Sequence, residues 1–296
     1  MSQSAALATF ETLRPRLFLI AYRMLGTRAD AEDAVQDAWL RWNGCQRDDV
    51  RSAEAWLVTV TTRLSIDRLR SRKAERDAYV GWWLPEPLVE LEERTPETAA
   101  ELASEVSVAM LWVLERLSPE ERAAFLMRKI FDQDYADLAA ILGKSEAACR
   151  QLVHRAQRHM TEQRPRFVVS KDVHRDVIAR FMHAAVDADR SAMKMLLSGD
   201  VQFRADGGGK VEALTKVLAG AGRVAGLYWA VENAFPRRVM YRMARVNGEP
   251  GVVRYIDGAV ESVQSFSVHN GRITAIYVVR NPDKLSGIPA GQRAPG

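Results

Sequence analysis

Cysteine is nearly absent: Cys45 and Cys149 are the only two in 296 residues. They lie far apart, and neither has a Cys or His companion at ligand spacing. That excludes a disulfide framework and a zinc site, and it fits a reducing compartment. No apolar run reaches the length of a membrane span. The opening MSQSAALATFETLRPRL has no basic stretch followed by an apolar core and a cleavage site, so a cytoplasmic protein without a membrane partner is expected. Charge of one sign is also missing, with 42 Lys and Arg against 38 Asp and Glu and a net charge of +4. Such a balance permits a nucleic-acid partner without requiring one. A phosphate-binding loop is missing too. Gly207–Lys210 reads GGGK, but the Walker spacing is absent and Val211 stands where Ser or Thr belongs. No cofactor and no metal are expected; His174 and His183 are badly spaced for a shared ion and read as structural.

What is present is a chain that is 47% hydrophobic, enough for real cores, and long enough for about two domains. From Ala5 to Met24 the residues Leu7, Phe10, Leu13, Leu17 and Ile20 share one helical face, and Gly26 ends the run. Thr27 with Asp30 resembles a capping box opening a helix to Trp42. That helix buries Ala34, Val35 and Ala38 and presents Glu32, Asp33, Gln36 and Asp37, a face that could also be merely solvated. NGCQRDDVRS (Asn43–Ser52) is a polar loop. A third helix, Glu54 to about Lys73, starts on Trp56 and ends strongly basic. Basic residues there suit a nucleic-acid backbone, or simply the helix C-terminus. Ala74–Glu97 is rich in Pro and acids; Pro85 and Pro87 keep it extended, a stiffened linker rather than a helix. A helical pattern resumes with Val106, Met110, Val113 and Leu117, and Ser118-Pro119-Glu120-Glu121 is a further capping box.

Asp134–Met160 organises the chain. Leu138, Ile141 and Leu142 form a short helix closed by Gly143, and Ser145 caps a second one packed through Ala148, Leu152 and Val153. This is a helix-turn-helix. The second helix presents Arg150, Gln151, His154, Arg155 and Arg158, long donors suited to phosphates and base edges in a major groove.

Three segments, DAEDAVQDAWLRW, AWLVTVTTRLSIDRLRSRKAE and LERLSPEERAAFLMRKIFDQDYADLAAILGKSEAACRQLVHRAQ, resemble in order and spacing the extracytoplasmic-function (ECF) sigma factors of bacteria, over about residues 5–163. The resemblance implies region 2 over 1–78 and region 4 over 98–165. It places Asp33, Gln36, Asp37 and Trp39 on the helix that docks on the β′ clamp helices of core RNA polymerase, whose β flap is a second contact. It puts Arg63, Asp67, Arg68, Arg70 and Arg72 at the −10 element, with the Asn43–Ser52 loop receiving a flipped base. Ser145, Arg150, Gln151, His154 and Arg155 align with positions that read the −35 element of promoter DNA.

Beyond Asp172 the pattern changes. Helices over His174–Asp187, Ala192–Leu197 and Leu214–Gly226 are expected around a strand in VQFRAD, followed by strands at Arg238–Val246, Val252–Ile256, Ala259–His269 and Arg272–Val279. Asp257-Gly258 and Asn270-Gly271 are hairpin signals, and Asn247–Gly251 is a turn. The result is an α+β domain over 170–285, with a flexible tail over 286–296. The order resembles a SnoaL-like cone. Together with WLPEP in the 79–97 linker, the DGGGK turn and NPDKL, it resembles the forty-first ECF group, which carries such an extension. The expected class is therefore multidomain, two all-α sigma modules plus an α+β cone.

That resemblance implies a fused regulator in place of a dedicated anti-sigma protein. Trp82, Trp83, Leu84, Pro85, Glu86 and Pro87 of the linker would meet Asp206, Gly207, Gly208, Gly209 and Lys210, together with Asn281, Pro282, Asp283, Lys284 and Leu285. The cone would take an unidentified small molecule as its signal. No enzyme activity is expected. The alternative is a catalytic cone, in which Asp206, Tyr228, Glu232, Arg254 and His269 line the cavity and an Asp–His pair does acid–base work. A plain DNA-binding repressor is a third reading, disfavoured because it has no need of the acidic Asp33–Asp37 helix.

Overall fold

The computed structural model describes residues 3–45, 50–91, 106–162 and 170–291. Four residues of the base-receiving loop (46–49), the linker beyond 91, the first residues assigned to region 4 and the end of the tail therefore lie outside the described residues. The chain forms two compact units, Met1–Asp77 with Leu111–Arg164, and Ala78–Met110 with Pro165–Gly296.

The first unit is helical. Helices α1 (Gln3–Leu25), α2 (Arg28–Gly44) and α3 (Ala53–Ser71), with the short α4 (Lys73–Asp77), build one module. Thr27 accepts from the Asp30 amide and Ser52 from the Ala55 amide, so both helix starts are capped by side chains. Leu17, Ile20, Met24, Ala34 and Leu57 are fully buried, and the Trp42 indole donates to the Ala6 carbonyl at 3.1 Å. Helix α5 (Val108–Leu114) is followed by α6 (Pro119–Lys129), α7 (Tyr135–Leu142) and α8 (Glu146–Glu162). The Ser118–Glu121 capping box is reciprocal, with Pro119 in the first turn. Gly143 takes the left-handed conformation that closes α7, at φ 63°.

The second unit packs α9 (Lys171–Val186), α10 (Arg190–Leu196) and α11 (Ala221–Ala234) on a seven-stranded sheet. Its strands are β1 (Val89–Leu91), β2 (Leu197–Asp206), β3 (Leu218–Ala219), β4 (Val239–Val246), β5 (Glu249–Ile256), β6 (Ala259–His269) and β7 (Arg272–Val279), in the order β1-β4-β5-β6-β7-β2-β3. Phe181, Tyr228 and Phe266 anchor the helix–sheet core, with Phe181 edge-on to Tyr228 at 4.9 Å. The observed architecture is thus two helical modules and an α+β domain, the expected class.

Three expectations are corrected. Leu214–Gly226 is not one helix: Gly220, at φ 100°, separates β3 from α11, which then runs on to Ala234. The turn after β4 is only Asn247-Gly248; Pro250 and Gly251 already belong to β5. A side chain at 251 would meet Val246 Cγ2 at 2.6 Å and the Gln264 carbonyl at 2.8 Å, so close strand packing is what requires that glycine. The linker is more than extended. Its residues Val89–Leu91 add β1 to the edge of β4, in register Val89 to Val246, and Leu88 exchanges hydrogen bonds with Asn247 at 2.8 and 3.1 Å.

Candidate nucleic-acid interface and linker clamp

On α8, Arg150, Gln151, His154 and Arg155 line one shallow exposed groove. The burial of Cys149, Leu152, Val153 and Ala156 on the opposite side turns them outward, as a 3.6-residue period demands. The side chains of Gln151 and His154 make no hydrogen bond among the described residues. Arg150 pairs with Glu146 at 2.7 Å and lies over the Tyr135 ring at 4.9 Å, while Arg155 pairs with Glu121 at 2.9 Å. These contacts pre-orient the guanidinium groups and remain solvent-facing, so phosphates can displace them. Ser145 Oγ accepts the Ala148 amide at 3.2 Å and caps α8.

The basic residues of α3 are engaged within the same unit. Arg63 donates to the carbonyls of Ile141 and Ala140, each at 2.8 Å, and so caps the C-terminal end of α7. Arg68 bridges Asp37 at 2.8 Å and Asp33 at 3.3 Å. Burial alone would lower its pKa, but the two carboxylates more than offset that and raise it. Arg70 meets Glu120 at 2.6 Å and Asp67 at 3.4 Å, and Arg72 pairs with Asp30. Gln36 is exposed, and Trp39 is half-buried against Phe10 at 4.9 Å. Arg122 of α6 is buried, donating to Glu115 and to the Met24 carbonyl, both at 2.6 Å; burial pushes its guanidinium down to about 9, still charged at neutral pH.

In the second unit the linker and the two short motifs converge on Asp206, which is fully buried. Its carboxylate accepts from the Tyr79 hydroxyl at 2.6 Å, the Leu84 amide at 2.9 Å, the Gly208 amide at 3.0 Å and the Lys284 ammonium at 2.7 Å. Lys284 is 7% exposed, donates also to the Leu84 carbonyl at 2.6 Å, and sits 4.1 Å from the Trp83 ring centroid. Burial and the adjacent Asp206 push the Tyr79 phenol well above its ordinary value. Asn281 donates to the Tyr79 oxygen at 2.9 Å, and Lys210 pairs with Asp283 at 2.5 Å across the outside. The glycines fit this clamp. Gly208 has φ 62°, and a Cβ there would collide with the Asn281 amide and reach the Tyr79 oxygen at 3.0 Å. Leu84, Pro85, Pro87 and Leu285 are buried, while Trp82, Trp83 and Glu86 are half-buried.

Tyr79, the first residue of the linker, and Asn247, a partner of the linker from the turn after β4, are not among the site residues expected from the sequence. Neither lies in a recognisable motif, and only their buried hydrogen bonds reveal them. The acid–base pair fails: Asp206 is register partner to Val279 and His269 to Arg272, at opposite ends of β7, so they stand roughly 23 Å apart by strand rise. Tyr228 and Arg254 do line a cavity, while Glu232 accepts the Tyr241 hydroxyl at 2.8 Å instead of opening into it. Among the described residues no cluster of His, Cys, Asp or Glu could hold a metal ion, and no helix is long and apolar enough to cross a membrane.

Comparison with known proteins agrees with these modules. Residues 9–75 match Sigma-70 region 2, and residues 108–160 match Sigma-70, region 4. The chain is 36% identical to the ECF RNA polymerase sigma factor SigJ of Mycobacterium tuberculosis, over 96% of this chain and 94% of that protein. It is 31% identical to the probable ECF RNA polymerase sigma factor SigI of the same species, over 96% of each. The crystal structure of M. tuberculosis SigJ superposes with a TM-score of 0.78, covering 96% of this chain and 99% of that one at 35% identity.

Proposed function

The chain belongs to the extracytoplasmic-function sigma factors, which direct RNA polymerase in transcription initiation, and from that premise we propose that its C-terminal domain regulates initiation by holding the inter-module linker. Partners at the level of the family are core RNA polymerase and promoter DNA, met in the cytoplasm. In this reading the exposed α8 face (Arg150, Gln151, His154, Arg155) contacts the −35 element, and the basic α3 residues contact the −10 element. Asp33, Gln36, Asp37 and Trp39 form the polymerase face. The α3 cations exchange their present carboxylate and carbonyl partners for phosphates; the pairs of Arg68 and Arg70 face solvent through Asp33, Asp37 and Arg70 itself, and so cost little to give up.

One observation carries the regulatory part: Asp206, with no solvent exposure, spends its acceptors on Tyr79, Leu84 and Lys284. A buried charge with partners from two distant chain segments has two well-separated states, formed and broken, because half-broken arrangements leave an unpaired buried ion. A clamp of that kind sets how much linker is free to let regions 2 and 4 separate. The cone is read as a regulator and not an enzyme, since its Asp206 is consumed structurally and His269 lies at the far end of the sheet.

The test is run-off transcription with core polymerase, comparing the full chain with Lys284→Met and with a chain ending at Val279. Promoter output that shifts in the same direction in both supports the clamp. Unchanged output in both, with tight promoter binding retained, sinks it.

A further inference from the structure

The second unit holds a cavity of about 130 Å3 that the clamp does not fill. Phe203, Leu227 and Val231 give it apolar walls, and Arg254, Glu261 and Arg280 form its polar end. A volume of this order suits a body of about six to eight heavy atoms, since a cavity of about 150 Å3 accommodates a benzene ring.

At the polar end two guanidinium groups converge on one lining carboxylate, and Glu232 lies within electrostatic reach of Arg254. Glu261 Oε2 accepts from Arg254 Nε at 2.6 Å, and Glu261 Oε1 faces Arg280 Nε at 2.6 Å without the alignment of a hydrogen bond. One carboxylate therefore serves two guanidinium groups. Burial would push the Glu261 carboxyl up, but Arg254 and Arg280 more than offset it and hold it below the usual range. An anionic ligand group completes this set; to turn to it Arg280 gives up the poorly aligned Glu261 contact and its hydrogen bond to the Glu212 carbonyl.

The cavity and the clamp share their walls. Ala205 lines the cavity and Asp206 anchors the clamp; Ala213 lines it just beyond the glycine turn; Arg280 lines it and precedes Asn281. Arg280 also donates to the Glu212 carbonyl, and its own amide donates to the Asp206 carbonyl at 2.7 Å. The cavity has its present shape in the clamped arrangement, so a ligand that fits it binds that arrangement more tightly and shifts the population toward it.

We propose that this cavity binds a small monocarboxylate with an apolar body, its carboxylate on Arg254 and Arg280, and that occupancy holds the linker clamp closed. The linkage rests on the clamp reading above; the binding does not.

Calorimetric titration of the full chain with benzoate and hexanoate, against benzyl alcohol and hexanol, tests the binding. The matching hydrogen-exchange rate of the Leu84 amide, which donates to Asp206, tests the linkage. At least one acid should bind saturably and about 10-fold more tightly than its alcohol. Val231→Trp, which fills the cavity, should abolish that binding in a chain that keeps its circular dichroism, and Arg280→Gln should weaken it about 10-fold. Leu84 exchange should slow in proportion to one plus the ratio of ligand concentration to Kd. No saturable binding of either acid, equal binding of acid and alcohol, or binding retained in Val231→Trp overturns the site. Binding with unaltered Leu84 exchange overturns the linkage. If Leu84 exchanges as fast in the unliganded chain as in Asp206→Ala, the clamp reading itself is what has failed.

Discussion

The functional ion pairs of the two units differ in kind. In the helical unit most pairs lie at the surface: Arg68 with Asp33 and Asp37, Arg70 with Glu120, Arg150 with Glu146. In the other unit Asp206 and Lys284 are buried together, 0% and 7% exposed. Surface pairs contribute about 0–1 kcal/mol and can be exchanged for phosphate at little cost. A buried pair is strongly destabilising to break by one partner, about 3–5 kcal/mol, because the other charge stays behind. The first arrangement suits a surface that must trade partners on DNA and polymerase, the second a contact that must be either made or absent. Arg122, buried with Glu115, and Asp30, buried beneath Arg72, are the charges of the helical unit that resemble the other kind.

The sharpest way to break that comparison is Asp206→Ala. It strands the Lys284 ammonium, the Tyr79 hydroxyl and the Leu84 amide, and should lower the stability of the second unit by about 3–5 kcal/mol in urea denaturation. Asp206→Ala with Lys284→Met should recover a good part of that loss; no recovery would mean the charge pair is not the source. Gly208→Ala comes next, at about 1–3 kcal/mol, through positive φ and collision with Asn281. Acid should follow. The Glu261 pKa lies below its ordinary 4.5, so its stabilisation is complete above that value and disappears as pH falls through the lower, folded value. The urea midpoint of the second unit should therefore drop between pH 6 and pH 3, and a flat profile would contradict the pairing. Tyr79→Phe removes one half-buried hydroxyl and should cost about 1 kcal/mol, read again by Leu84 exchange. Smallest of all, Arg68→Ala should change stability by less than about 1 kcal/mol yet reduce run-off transcription; a large melting shift would place Arg68 with the buried kind.

The helical modules were legible because their signals are local. The caps at Thr27, Ser118 and Ser145, the closing glycine at 143 and the apolar period of α8 each fix an element within a few residues. The hairpins at Asp257-Gly258 and Asn270-Gly271 were equally plain, since both positions carry positive φ. What escaped depends on distant partners. Val89–Leu91 is too short and too acidic to announce a strand, and it becomes one only because β4 offers an unpaired edge. The run after Leu214 looked helical because the apolar spacing continues through it, while Gly220 moves the start of the helix. Among the site residues, WLPEP, DGGGK and NPDKL could be named in advance, but their common focus on one carboxylate could not. Asp206 also looked like half of an acid–base pair, and only strand register separates it from His269.

The strand that the linker lends to the sheet bears on how such a protein can be rebuilt. A cone cut at residue 170 would leave β4 with a bare row of amides and carbonyls, an open template for self-association. The regulatory domain is therefore not a cassette that begins where its continuous sequence begins. Any graft onto another polymerase subunit, and any recombination that moved it between genes, would have to carry Ala78–Leu91 as well, leaving region 2 on one side of the transplanted piece and region 4 nested inside it.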